Sequence, residues 1–159
     1  MKKNIGIVIN TFSAKKSESG LPRPQVDSLN VIYGYGVQND KFAGKDESKR
    51  IMIVGKKAYE IAQKKGINLQ EGSLGENILL DFNPHDYDIG TIFKIGSVVL
   101  QITQNCTMCK HLSLFNDSLP FLVKECRGMY CKILDGGIIK KNDKVDVLMC
   151  WRSRQELVS

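Results

Sequence analysis

Long hydrophobic runs are missing from this sequence. Nothing approaches the roughly 20 consecutive apolar residues of a membrane-spanning helix. Lys2 and Lys3 are followed by an apolar run that Asn10 soon breaks, without the h-region and small-residue cleavage site of a signal peptide. A cytoplasmic protein without a membrane partner is the expectation. The cysteine count of 5 is odd, which argues against a pure disulfide framework, and cytosolic thiols stay reduced. Aromatics are only 8% and are scattered rather than interleaved with lysines, so the stacking platform of a single-strand nucleic-acid groove is not expected. Histidine is scarce, with 2 in the chain. His85 stands in the turn Asn83-Pro84-His85-Asp86 and reads as solvated, while His111 reads as a surface residue that can also polarise Cys109. There is no internal repeat and no low-complexity segment.

What remains is ordinary globular composition, 42% hydrophobic and 25% charged. A length of 159 residues suits one domain with a substantial core, placed at residues 1–150 and followed by a polar tail at 151–159. The formal charge of +6 points to an anionic partner without naming it. A phosphate-bearing small molecule, a nucleic acid and an acidic protein all qualify, and dispersed lysines are also what a solvated surface looks like.

Apolar runs at residues 5–9, 26–33, 50–54, 78–82, 89–95, 98–103, 129–134, 138–140 and 145–150 read as short strands. Gly96-Ser97 and Asn142-Asp143 read as turns, and Asp135-Gly136-Gly137 reads as a hairpin. Residues 56–65 form the best helix, stopped by Gly66. A second is expected after Ser118 as N-cap, with Leu119, Leu122, Val123 and Cys126 on one face. Gly20-Leu21-Pro22-Arg23-Pro24 is a rigid loop expected to carry Arg23 out from the body. Many short strands with glycine turns and isolated helices predict a mainly β fold, a mostly antiparallel barrel or sandwich with a few short α-helices.

The stretch with most chemistry is Thr103-Gln104-Asn105-Cys106-Thr107-Met108-Cys109-Lys110-His111. A strand there delivers two cysteines in C-x-x-C spacing beside Lys110 and His111, and nearby positive charge stabilises a thiolate. Together with Cys126 and Cys131 the pair also offers four soft ligands for structural zinc. A zinc-stabilised or nucleic-acid-binding basic barrel therefore stays open as an alternative to sulfur chemistry.

Five segments in order resemble the MOSC domain, the module named for the C-terminal part of molybdenum-cofactor sulfurase. They are Gly20-Leu21-Pro22-Arg23, the loop from Gly36 to Lys45, Gly72-Ser73-Leu74-Gly75-Glu76-Asn77-Ile78, Thr103-Gln104 through Cys109, and Gly128 to Gly137 with Asn142-Asp143. The resemblance implies a β-barrel-centred fold that binds molybdenum cofactor, a molybdopterin, or carries persulfide sulfur on a cysteine, with Cys109 at the matching position. It permits a sulfur carrier or sorting module, served by a sulfur donor or serving a molybdoenzyme, and equally a small cofactor-dependent reductase. Cys109 is then the catalytic thiol and a possible molybdenum ligand, with Cys106 beside it as a second candidate ligand. Arg23, Lys45 and Arg50 are expected at the phosphate, and Asp40, Glu76, Asn77 and Lys110 elsewhere around the cofactor. Three positions depart from the pattern: Asn39 and Asn142 replace glycines, and Phe42 replaces a histidine. Phe42 is expected to pack beneath its loop.

Overall fold

The strand β5, Ile51–Gly55, is apolar at every position because both of its faces are covered. Ile51 and Ile53 face the interior of a closed sheet, while Met52 and Val54 join a second cluster outside it. The computed structural model describes residues 3–106 and 110–149, the side chain of Lys110 excepted.

The strands in chain order are β1 (Lys3–Phe12), β2 (Gln25–Val26), β3 (Ser28–Ile32), β4 (Gly36–Val37), β5, β6 (Ile78–Leu80), β7 (Ile92–Ile95), β8 (Val98–Asn105), β9 (Met129–Asp135), β10 (Gly137–Lys140) and β11 (Lys144–Met149). Seven of them close in the order β11-β7-β8-β9-β5-β6-β1, with β1 pairing back onto β11. Among the described strands only β5 and β6 pair in parallel, and the helix α1, Lys56–Lys64, lies between them in the chain. The fold is thus mainly β, a seven-stranded closed barrel with two helices among the described residues. Phe93, Leu100, Ile102, Cys131, Ile133 and Val145 help fill its interior. A small sheet of order β10-β3-β4 lies beside the barrel.

Outside the barrel, Met52 and Val54 pack with Ala58 and Ala62 of α1 and with Cys106, Leu112, Leu119, Val123 and Cys126. This second cluster positions the site, because it seats the segment after β8 against β5 and β9.

Three sequence expectations are corrected. Asp135-Gly136-Gly137 is not a hairpin: β9 ends in the barrel and β10 pairs with β3 in the other sheet. A Cβ on Gly136 would meet the Val31 carbonyl at 2.6 Å, so the glycine serves a close crossing between sheets. The run at 26–33 breaks at Asp27 into β2 and β3. The second helix, α2, covers only Leu119–Leu122 and continues as turns, although Val123 and Cys126 are buried as the pattern required. Ser118 stands at the N-cap as expected, but its side chain makes no capping hydrogen bond; its hydroxyl donates to Asn116 Oδ1 at 2.6 Å instead. The tail at 151–159 lies outside the described residues.

Candidate functional site

The end of β8 and the approach to β9 meet on the outer side of the barrel wall. The Cys106 N–H donates to the Gly128 carbonyl at 2.9 Å. Gly128 has φ 132°, and a Cβ there would lie 2.7 Å from Met52 Cε and 2.9 Å from the Ile53 carbonyl. No other residue lets this backbone pass so close to β5. Its neighbour Arg127 is buried, 4% exposed, and its Nη1 donates to the Leu74 carbonyl. Arg127 Nε is buried with no hydrogen-bond partner among the described groups.

Arg127 and Arg23 both line a cleft of about 320 Å³. Contrary to expectation, the 20–24 loop turns Arg23 inward. Its N–H donates to the Gly72 carbonyl at 3.0 Å, and its guanidinium lies 3.6 Å from Asp40 with only 10% of the side chain exposed. Burial lowers the Arg23 pKa from its ordinary value, against the fields of Asp40, Glu76 and Tyr130. Its Nη1 is buried and also lacks a hydrogen bond. Lys41, Phe42, Met52, His111, Leu114 and Tyr130 also line the cleft. Burial pushes the Tyr130 hydroxyl up to about 12, helped by Cys106 and opposed by Arg127 and Arg23. It is therefore a proton-bearing group at neutral pH, 3.6 Å from Cys106 Sγ.

Two buried cations with unused N–H groups flank one cleft. Leaving such groups without an acceptor is costly, and a guanidinium fork matches phosphate or carboxylate geometry. Larger, open grooves of about 520 and 580 Å³ run beside α1, but they are lined by solvated lysines such as Lys56 and Lys57 and have no buried charge.

The residues named from sequence fall into separate positions. Arg23 lines the cleft, and Asp40 stands behind it. Asp40 is 4% exposed and accepts from Ser13 Oγ at 2.7 Å, Phe42 N at 3.0 Å and Ala14 N at 3.3 Å, so it anchors the loop and the guanidinium together. Glu76 is fully enclosed and accepts from Tyr59 OH at 2.6 Å; burial raises its pKa. The Asn77 amide is spent on the barrel, accepting from Met52 N at 3.0 Å and donating to the Phe12 carbonyl at 3.1 Å. Lys45 is exposed, with Nζ 5.7 Å from the Phe42 ring centre. Arg50 packs near Gly36 and is not among the residues that line the cleft, although its Nε and Nη1 are also buried without a hydrogen-bond partner among the described residues. Cys106 is buried at 7% exposure beside Tyr130. Cys109 and the Lys110 side chain lie outside the described residues.

Phe42 is not beneath its loop. It is 41% exposed, with the Arg23 guanidinium 4.8 Å and the Lys41 ammonium 5.5 Å from its ring centre. The two glycine replacements are conformationally silent: Asn39 has φ 67° and Asn142 φ 74°, a region that asparagine tolerates. His85 is not solvated either, since its ring is half-buried and accepts a hydrogen bond from Gly128 N at 2.9 Å. A four-thiolate zinc centre does not form from the described cysteines, because Cys131 faces the barrel interior while Cys106 and Cys126 lie outside the wall. Sequence reasoning missed Arg127 and Tyr130. The one available signal was an arginine placed directly before the Gly128 segment.

The model of the family described as MOSC domain matches residues 39–146. Among solved structures, the YuaD protein of Bacillus subtilis superposes with a TM-score of 0.71 at 17% identity, covering 92% of this chain and 98% of that one. YiiM of Geobacillus stearothermophilus gives a TM-score of 0.65 at 18% identity, over 92% of this chain and 75% of that one. YiiM of Escherichia coli gives 0.67 at 15% identity, over 92% and 69%. A search of curated proteins finds no match. At these identities the structural likeness speaks for the fold.

Proposed function

We propose, from the premise that the chain belongs to the MOSC domain family, that it binds a molybdopterin-type ligand in the cleft between Arg23 and Arg127 and accepts sulfur on Cys109. The observation that carries this reading is a buried guanidinium nitrogen from each of two arginines lining one cleft, Arg23 Nη1 and Arg127 Nε, with no hydrogen-bond acceptor among the described residues. A cleft of about 320 Å³ falls within the usual range for small-molecule sites, and its donor set suits a phosphate joined to a polar ring system. The residues present therefore fit the group.

Arg23 and Arg127 would hold the phosphate, with Asp40 fixing the angle of Arg23. Lys41 at the cleft and Lys45 beside the Phe42 ring supply further positive potential, and Phe42 and Leu114 offer apolar surface to the ligand's ring system. The Tyr130 hydroxyl, held protonated, is a hydrogen-bond donor beside the Cys106 end of the thiol segment. The bound cofactor would supply a metal centre able to exchange oxygen or sulfur atoms. Cys109 stands by sequence next to Lys110 and His111, and positive charge favours the thiolate. That thiolate attacks the outer sulfur of a persulfide donor R–S–SH. A Cys109–S–SH forms, the donor S–S bond breaks, and R–S⁻ leaves. A sulfur-donating protein or a molybdoenzyme would be the macromolecular partner in such a cycle.

The test is mass spectrometry of the native protein after incubation with a persulfide donor. Wild type should gain one sulfur atom, Cys106→Ser should gain it too, and Cys109→Ser should not. Equal loss of loading in both variants, together with equal loss of thermal stability, would show the two thiols acting as one structural unit and refute the assignment.

A further inference from the structure

His85 takes no part in the roles above, yet it is tied to the cleft from behind. It lies in the short 3-10 turn Pro84–Asp86, where Asn83 Oδ1 accepts the His85 N–H at 3.1 Å. The turn approaches the end of β5 closely; a Cβ on Gly55 would meet the Phe82 carbonyl at 2.4 Å and Pro84 Cδ at 3.0 Å. From there His85 Nε2 accepts the Gly128 N–H at 2.9 Å, and the Gly128 carbonyl accepts the Cys106 N–H at 2.9 Å. Both polar backbone groups of Gly128 are thus engaged, one by the ring and one by the thiol segment. Arg127 is the residue immediately before Gly128, and Tyr130 the second after it.

We infer that His85 is a positioning residue for the cleft: its unprotonated ring holds Gly128, and through Gly128 the Arg127 guanidinium and the Cys106 amide, in their binding arrangement, and protonation of the ring releases them. This rests on the reading of the cleft as an anion site. The chemistry is directional. A ring nitrogen that accepts an amide hydrogen must carry a lone pair. Once protonated, Nε2 becomes a donor aimed at another donor, so the contact is lost rather than weakened.

The ring's surroundings set when this happens. Asp86 lies on its own turn, and Lys57 of α1 with Lys124, Glu125 and Cys126 from the stretch after α2 line the same open groove as the ring. Burial lowers the His85 pKa, with Asp86 opposing. A base whose folded value lies below its unfolded value of about 6.5 adds stability above the unfolded value. That stability is lost as pH falls through the folded value. The latch is closed at neutral pH and opens on acidification.

The experiment uses NMR on the whole chain between about pH 5 and 8, with inorganic sulfate as the anion because its charge is constant over that range. The His85 ring resonances report its titration, and exchange protection of the Gly128 and Cys106 amides reports the latch. In wild type, both protection and sulfate affinity should fall about tenfold or more as the ring titrates. His85→Gln, which keeps an acceptor but does not titrate, should hold both constant. His85→Leu should show low protection and weak binding at every pH; if it fails to fold, the wild-type titration and the glutamine variant still decide. Protection that stays flat while the ring titrates, or that the glutamine variant loses in parallel with wild type, would overturn the inference. No sulfate binding at any pH would refute the reading of the cleft, and amide protection would still decide the latch.

Discussion

Replacing Arg127 by methionine separates affinity from stability in a way a purely structural arginine would not. The aliphatic stem is kept approximately in volume, while the guanidinium is removed. On the stability side, the Leu74 carbonyl loses its donor, a cost of about 1–3 kcal/mol for a buried unsatisfied acceptor. Against this, the fold no longer buries a cation whose Nε lacks a partner, and substituting well-packed apolar groups for buried charge is often neutral or stabilising. The two effects oppose, leaving a net change within about 1 kcal/mol, or a shift in Tm of no more than about 4 °C for a chain of this size. Affinity has no such compensation. Losing a charge-assisted hydrogen bond worth about 1.5–3 kcal/mol raises the Kd for an anion about 10- to 150-fold. Calorimetric titration with pyrophosphate, paired with a scanning melt, measures both. A variant that binds as wild type does would show that Arg127 does not face the ligand. One that is folded but melts more than about 10 °C lower would show that its work is structural.

Asn77→Asp should lower Tm by about 5–15 °C, since a carboxylate oxygen replaces the amide donor against the buried Phe12 carbonyl at a cost of about 2–4 kcal/mol; a normal melt with lost pyrophosphate binding would mean that this side chain serves the ligand. Asn142, at φ 74°, should accept glycine within about 0.5 kcal/mol in urea unfolding and lose about 1–3 kcal/mol as Asn142→Val, because a β-branched side chain is strained in the left-handed region. Equal stability of the two variants would contradict the turn geometry.

The barrel itself was largely legible in the chain. Alternating or continuous apolar runs mark strands because burial repeats every second residue, or at every residue when both faces are covered. The helix α1 announced itself through Ala58 and Ala62 and its Gly66 stop, and five short segments in order pointed to the family. Even Asn39 and Asn142 were consistent with it, since each meets the backbone requirement of the glycine it replaces. Asp135-Gly136-Gly137 misled because the same glycines that permit a hairpin also permit a crossing between two sheets; only the position of Val31 against Gly136 distinguishes them.

The cleft was far less legible. Arg23 and Asp40 are 17 positions apart in the sequence, and nothing local says that the loop folds inward to make an ion pair. Tyr130 lies in the Gly128–Gly137 segment, Arg127 directly before it and His85 in a turn, but none of these local settings says that the three residues serve one cleft. They meet because a closed ring of strands brings the approach to β9 against β5, the end of β8 and the 84–86 turn, at sequence separations of tens of residues. Residue type and periodicity decide which face of a strand is buried. Which charged groups then share that buried space, and so leave N–H groups without an acceptor, depends on how the ring closes.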